Sequence, residues 1–306
     1  MRFMPWKLQG VITALITPLT KESDICTKCL EEMIKFQLSK GISGLFIMGT
    51  YGEGILLSER LKKKILEKVI DIVPSKTIVL PHIGSSDIEV IASLARTARD
   101  LGYEAVSTVG PIYHVPTKKG LIKYFDYIAK EDVGIVIYNI KNRQRYNISP
   151  DDFELIVSEV PAVIGIKDTS YDVDQLLEYV ERFGNKYFIA GAGDSMIYYT
   201  FSVGAHAHIC GVSNAFPEVV VALYKAVVSG NHKEGQRYQF MINKLRRTLR
   251  KYGIELQEVF REVLKLRGIH SGYPPLQLSE GLTKDQLEEL KKIVEPFIKM
   301  GAGISK

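Results

Sequence analysis

The chain has 306 residues, with 40 basic against 35 acidic side chains and three cysteines. A formal net charge of +5 is mild for that length and does not call for nucleic acid, and three cysteines do not make a disulfide framework. No stretch reaches the ~18 apolar residues of a membrane span, and MRFMPWKLQG at the start lacks the apolar core of a signal peptide. A soluble, cytoplasmic protein is expected.

Short apolar, β-branched runs then recur along the chain: residues 10–19, 44–49, 77–84, 103–111, 134–140, 163–170, 187–194 and 205–214. Each lacks clean polar alternation and is bounded by Gly, Pro or polar residues, as strands buried on both faces of a parallel sheet are. Amphipathic segments lie between them. The first runs from Cys29 to a stop at Gly41, and the second opens on Ser58 as N-cap. The third ends at Gly102, and five more follow, so the order is strand–helix eight times. That spacing fits an α/β (β/α)8 barrel over residues 1–230, whose typical size is about 250 residues. A doubly wound open sheet is the rival, but no G-x-G-x-x-G turn follows the first strand. Residues 231–306 show no strand pattern and read as a three-helix C-terminal appendage.

Cys26 and Cys29 form a lone C-x-x-C beside the first predicted helix. A zinc ribbon needs a second pair, so both are expected to be free thiols. The densest basic stretch, NKLRRTLRKYG at 243–253, reads as a solvated helix face.

Chemistry in such a barrel sits at the C-terminal ends of the strands. There the sequence places GTYGEG (49–54), Tyr113, Tyr138, and Lys167 with Asp168. Lysine on a buried strand either reaches solvent or an acidic partner such as Asp168, or loses its proton and becomes a nucleophile. A lysine, two tyrosines and a glycine-rich turn on one rim suit Schiff-base catalysis. The neutral amine adds to a ketone, a phenol moves protons, and N–H groups of the turn hold a carboxylate. His206, His208 and Cys210 share one face of a strand, but ligands one strand-step apart rarely close a tetrahedron, so no metal is expected. His82, His114 and Asp194 are candidate polar contacts, and Glu53 is expected to brace the turn.

GTYGEG, YNI and GIKDTS, in that order and each at a strand end, resemble the motifs of the dihydrodipicolinate synthase/N-acetylneuraminate lyase family of class I aldolases. The similarity extends over essentially the whole chain. It implies Lys167 as the Schiff-base residue, Tyr138 as the proton shuttle, and Thr50 with its neighbours as the holder of the pyruvate carboxylate. It also implies Ile209 in the pyruvate pocket and Tyr113 inserted into a neighbouring subunit's site, hence a homotetramer built from dimers. No cofactor is implied. The substrates implied are pyruvate and an aldehyde.

The chain departs from that family at several points. Tyr51 stands where most relatives have a threonine of the proton relay, Ala192 replaces a pocket glycine, and Lys141 replaces a proline. Arg143 matches the arginine with which the synthase grips a second carboxylate, though its charged loop could equally face solvent. Ser86 and Ile112 stand where lysine-inhibited synthases carry asparagine and an aromatic residue, so feedback by lysine is not expected. The reading is a pyruvate-dependent aldolase or lyase, of synthase-like or 2-keto-3-deoxy sugar-acid type. The alternatives are a hydratase-aldolase acting on aryl-substituted pyruvates and a non-catalytic keto-acid-binding homologue.

Overall fold

Eight strands form where the apolar runs stood, each shorter than its run because the run continues into the loop above it. A computed structural model describes residues 9–304. The strands are β1 Gly10–Ala14, β2 Gly44–Ile47, β3 Ile78–Pro81, β4 Ala105–Thr108, β5 Gly134–Asn139, β6 Val163–Asp168, β7 Phe188–Ala192 and β8 Ala207–Cys210. All pair in parallel in the order β3-β2-β1-β8-β7-β6-β5-β4. The ring closes between β3 and β4, where the Ile83 N–H donates to the Ser107 carbonyl at 2.8 Å. This is the expected (β/α)8 barrel.

Helices α1 Thr27–Ser39, α2 Glu59–Ile72, α3 Ile88–Asp100 and α4 Lys118–Ala129 cover the first half of the ring. The second half is covered by α5 Lys141–Gln144, α6 Pro150–Glu159, α7 Val173–Phe183, α8 Ile197–Ser202 and α9 Pro217–Val228. Local chemistry sets their ends. Ser58 Oγ accepts from the Leu61 N–H at the start of α2, and Ser149 with Asp152 forms a capping box on α6. Gly41 and Gly102, at φ +84° and +87°, take the left-handed turn that follows α1 and α3.

Side chains alternate between two cores. Ile12, Phe46, Leu80, Val136, Phe188 and Ile209 fill the barrel interior. Neighbouring strand residues pack outward on helix faces carrying Ile65, Leu94, Phe125 and Tyr179. Helices α10 His232–Leu249, α11 Leu256–Leu266 and α12 Lys284–Ile304 follow the barrel, as the sequence predicts. Helix α10 reaches the strand ends, where Gln239 donates to the Asp194 carbonyl at 2.9 Å.

One expectation is overturned. Cys26 and Cys29 are joined as a disulfide rather than free. Cys26 caps α1 and Cys29 lies one turn on, so the helix start brings the Cα atoms to 5.3 Å, within the span a disulfide bridges. No helix among the described residues is long and apolar enough to cross a membrane.

Candidate active site

Lys167 owes its direction to a slip in the β5–β6 ladder. Ile135 pairs with Val163 and Val136 with Gly165, so Ile164 is an extra residue on β6. Ile164 packs on the inner cluster, and strict alternation from it would turn Lys167 outward. The bulge shifts the parity and points Lys167 inward, a use bulges often have beside active sites. The side chain is 3% exposed. Its Nζ lies 3.7 Å from the centre of the Tyr138 ring and 3.8 Å from that of Phe46. Burial in this apolar cage holds its pKa well below the usual lysine value.

Asp168 does not pair with it. On the other face of β6, Asp168 accepts from Ser170 Oγ at 2.6 Å, Asn139 Nδ2 at 2.8 Å and Gln175 Nε2 at 3.1 Å. The reading in which Lys167 is an ammonium reaching Asp168 is therefore excluded by geometry.

Tyr138, next to Lys167 in register on β5, has its hydroxyl 3.2 Å from Thr50 Oγ1. Burial raises its pKa, so the phenol holds its proton at neutral pH. Thr50 belongs to the turn after β2, whose glycines are required by space. A Cβ on Gly54 would lie 1.7 Å from the Met48 carbonyl oxygen, and one on Gly52 2.9 Å from that of Leu15. Within the turn the N–H groups of Glu53 and Gly54 are taken by Thr50 and Gly49 carbonyls. Those of Thr50 and Tyr51 make no hydrogen bond to a described residue. Glu53 is buried at φ +52°, and Arg261 of α11 reaches it at 2.5 Å while also donating to the Thr17 and Ser271 carbonyls. Glu53 thus braces the turn from below, as expected.

Tyr51 points away from this pair. Its hydroxyl donates to Asp194 Oδ2 at 3.3 Å, and its ring stacks on Phe260 and fills the space a side chain at Gly211 would need. Burial, followed by the Asp194 charge, raises its pKa well above the usual phenol value. Asp194, at the end of β7, also accepts from the N–H groups of Gly211 and Val212 at 2.8 and 3.2 Å.

A cavity of about 510 Å³ gathers Lys167, Tyr138, Thr50, Tyr51, Ala192, Ile209 and Arg143. Arg143 sits at its edge, 55% exposed, paired with Glu255 at 3.0 Å. Tyr113 does not line it; its side chain stands 78% exposed on the rim at φ +74°, beside His114. His82 is buried edge-on to Tyr138 at 5.5 Å, and burial pushes its pKa down to about 3. It faces a second cavity that shares Thr50 and Tyr138. His208 is engaged by Thr200 Oγ1 at 2.8 Å and Cys210 by Ser213 at 3.2 Å, outside the barrel interior.

Several residues of the cavity wall escape sequence reasoning, among them Arg246 and Arg250. The basic stretch 243–253 is not wholly a solvated face: Lys244, Arg247 and Arg250 are exposed, but Arg246 is buried and lines the cavity. Its position facing the barrel on α10, four residues after the buried Ile242, is the signal that a helical count could have used.

A family model described as the dihydrodipicolinate synthetase family matches residues 7–296. The chain belongs to that family. The 4-hydroxy-tetrahydrodipicolinate synthase of Methanosphaerula palustris is 30% identical over 296 residues, covering 94% of this chain and 99% of that one. The same enzyme of Thermotoga petrophila is 29% identical over 245 residues, covering 79% and 83%. Among solved structures, the Ruminococcus gnavus sialic acid aldolase catalytic lysine mutant superposes with a TM-score of 0.92 at 24% identity, covering 99% of this chain and 100% of that one. Dihydrodipicolinate synthase from Aquifex aeolicus gives 0.86 at 24% identity, covering 95% and 98%. The dihydrodipicolinate synthetase family is one of class I aldolases and lyases, and this chain is an enzyme of that Schiff-base type.

Proposed function

We propose that the enzyme joins pyruvate to an aldehyde, or cleaves a 2-keto acid to the same pair, through an imine on Lys167. The observation that carries this is a desolvated amine with no acidic partner among the described residues, packed on the ring of a phenol whose hydroxyl meets Thr50. The neutral amine attacks the keto carbon, and the nitrogen loses a proton as the keto oxygen gains one. The carbinolamine hydroxyl then takes up a proton and leaves as water, giving an iminium. Loss of a proton from the methyl carbon gives the enamine, which attacks the aldehyde carbon; the aldehyde oxygen gains a proton and the nitrogen is again an iminium. Water returns to free the product and the amine. Tyr138, backed by Thr50, is placed to move the protons at the imine. The free N–H groups of Thr50 and Tyr51 suit the pyruvate carboxylate. Ile209 and Ala192 shape the wall against the methyl group.

The aldehyde is of the kind used by the synthase, or a sugar-derived one. The enzyme works in the cytoplasm as a homotetramer in which Tyr113 completes a neighbour's site. Exposed Ile55, Leu56, Tyr113, Val115 and Leu278 support that assembly. Incubation with pyruvate and borohydride, followed by peptide mass analysis, tests the reading. A reduced pyruvyl adduct on the peptide carrying Lys167 is expected. No adduct at saturating pyruvate would overturn it and favour the keto-acid-binding homologue.

A further inference from the structure

Arg246 is 8% exposed, and a buried guanidinium ordinarily has its donors satisfied. Here it does not. Its closest acidic contact is a single approach of Nε to Asp194 Oδ2 at 3.3 Å, and that nitrogen has no hydrogen-bond partner. No hydrogen bond joins its terminal nitrogens to a described residue. Asp194 does not need it, because two backbone N–H groups and the Tyr51 hydroxyl already serve that carboxylate. The guanidinium lines the same cavity as Lys167. Arg250, four residues on, lines it too.

The charges in that cavity do not cancel. Asp194 and Glu255 stand against Arg143, Arg246 and Arg250. Nor does pyruvate use all the space, since three carbons occupy only a fraction of about 510 Å³. A planar fork of unpaired donors on a cavity wall is the arrangement that takes a carboxylate or phosphate oxygen pair.

We infer that Arg246 receives an anionic group, carboxylate or phosphate, carried by the aldehyde-derived half of the substrate, which makes it a specificity-determining residue of this site. The inference rests on the proposed pyruvate chemistry for its substrate but not for its anion. The test separates the two. Full-length enzyme is loaded with pyruvate and reduced with borohydride, the adduct is verified by mass, and glycerol 3-phosphate, glutarate and neutral glycerol are titrated by calorimetry. Binding of one anion and not of glycerol is expected, with phosphate or carboxylate chosen by whichever titrates. Arg246→Gln should weaken that anion at least tenfold, and Arg246→Lys, which keeps the charge and guards against misfolding, should weaken it less. Anions that bind the wild type no better than glycerol, or bind Arg246→Gln and wild type alike, would overturn the inference. Absence of the mass adduct would instead sink the pyruvate reading, and the same titrations on unreduced enzyme would still decide the anion site.

Discussion

Replacing Tyr138 by phenylalanine isolates one oxygen atom. The ring keeps its contact with the Lys167 amine at 3.7 Å and its edge-to-face contacts with Phe46 at 5.7 Å and His82 at 5.5 Å. The cage that lowers the lysine pKa therefore survives, and only the 3.2 Å link to Thr50 is lost. If the hydroxyl were merely structural, losing one neutral hydrogen bond would cost about 0.5–1.5 kcal/mol, or roughly two- to tenfold in any rate that depends on it. If it moves protons at the imine, the loss is about 10²- to 10⁴-fold, or ~2.7–5.4 kcal/mol of barrier. The two ranges do not overlap. Steady-state kcat/KM with pyruvate and the best aldehyde, together with the rate of borohydride trapping, measures which applies. A Tyr138→Phe enzyme that melts like the wild type yet keeps more than a tenth of its rate would refute the shuttle.

A Cβ on Gly211 would sit 2.0 Å from Tyr51 Cζ. Gly211→Ala is therefore expected to displace that ring and cut activity at least tenfold, and adding Tyr51→Thr should recover part of the loss; equal defects in the single and double variants would refute this coupling. Arg261→Met leaves Glu53 charged and buried, which costs about 3–5 kcal/mol. Denaturant unfolding reads that loss, and a change below ~1 kcal/mol would contradict the bracing role. His82 and His208 are held neutral, each with a pKa near 3 against an ordinary 6.5. The unfolded chain takes up those protons below pH 6.5 and the folded chain does not, so stability is whole above that pH. It falls as pH drops toward 3, by at most roughly 1.4 kcal/mol per pH unit for each histidine. His208→Gln should flatten urea midpoints between pH 5 and 6.5, and parallel slopes for variant and wild type would refute the assignment.

The barrel is legible in the sequence because parallel strands buried on both faces leave unbroken apolar runs, and because Ser58, Gly41 and Gly102 mark helix ends by local chemistry alone. What is not legible depends on contacts far apart in the chain. Nothing near Tyr51 shows that its hydroxyl turns to Asp194, 143 positions on. Arg246 looks like its solvated neighbours until α10 is folded against the strand ends. The cysteine pair fails for a different reason: two thiols one helical turn apart are read by motif, while the bond depends on where the helix begins.

The extra residue at Ile164 has a bearing on protein design. Anyone transplanting this nucleophile into another eightfold scaffold by copying its sequence onto an evenly paired strand would find the amine outside, against a helix. The portable unit is the lysine together with its one-step frameshift, a two-part cassette whose halves are useless separately.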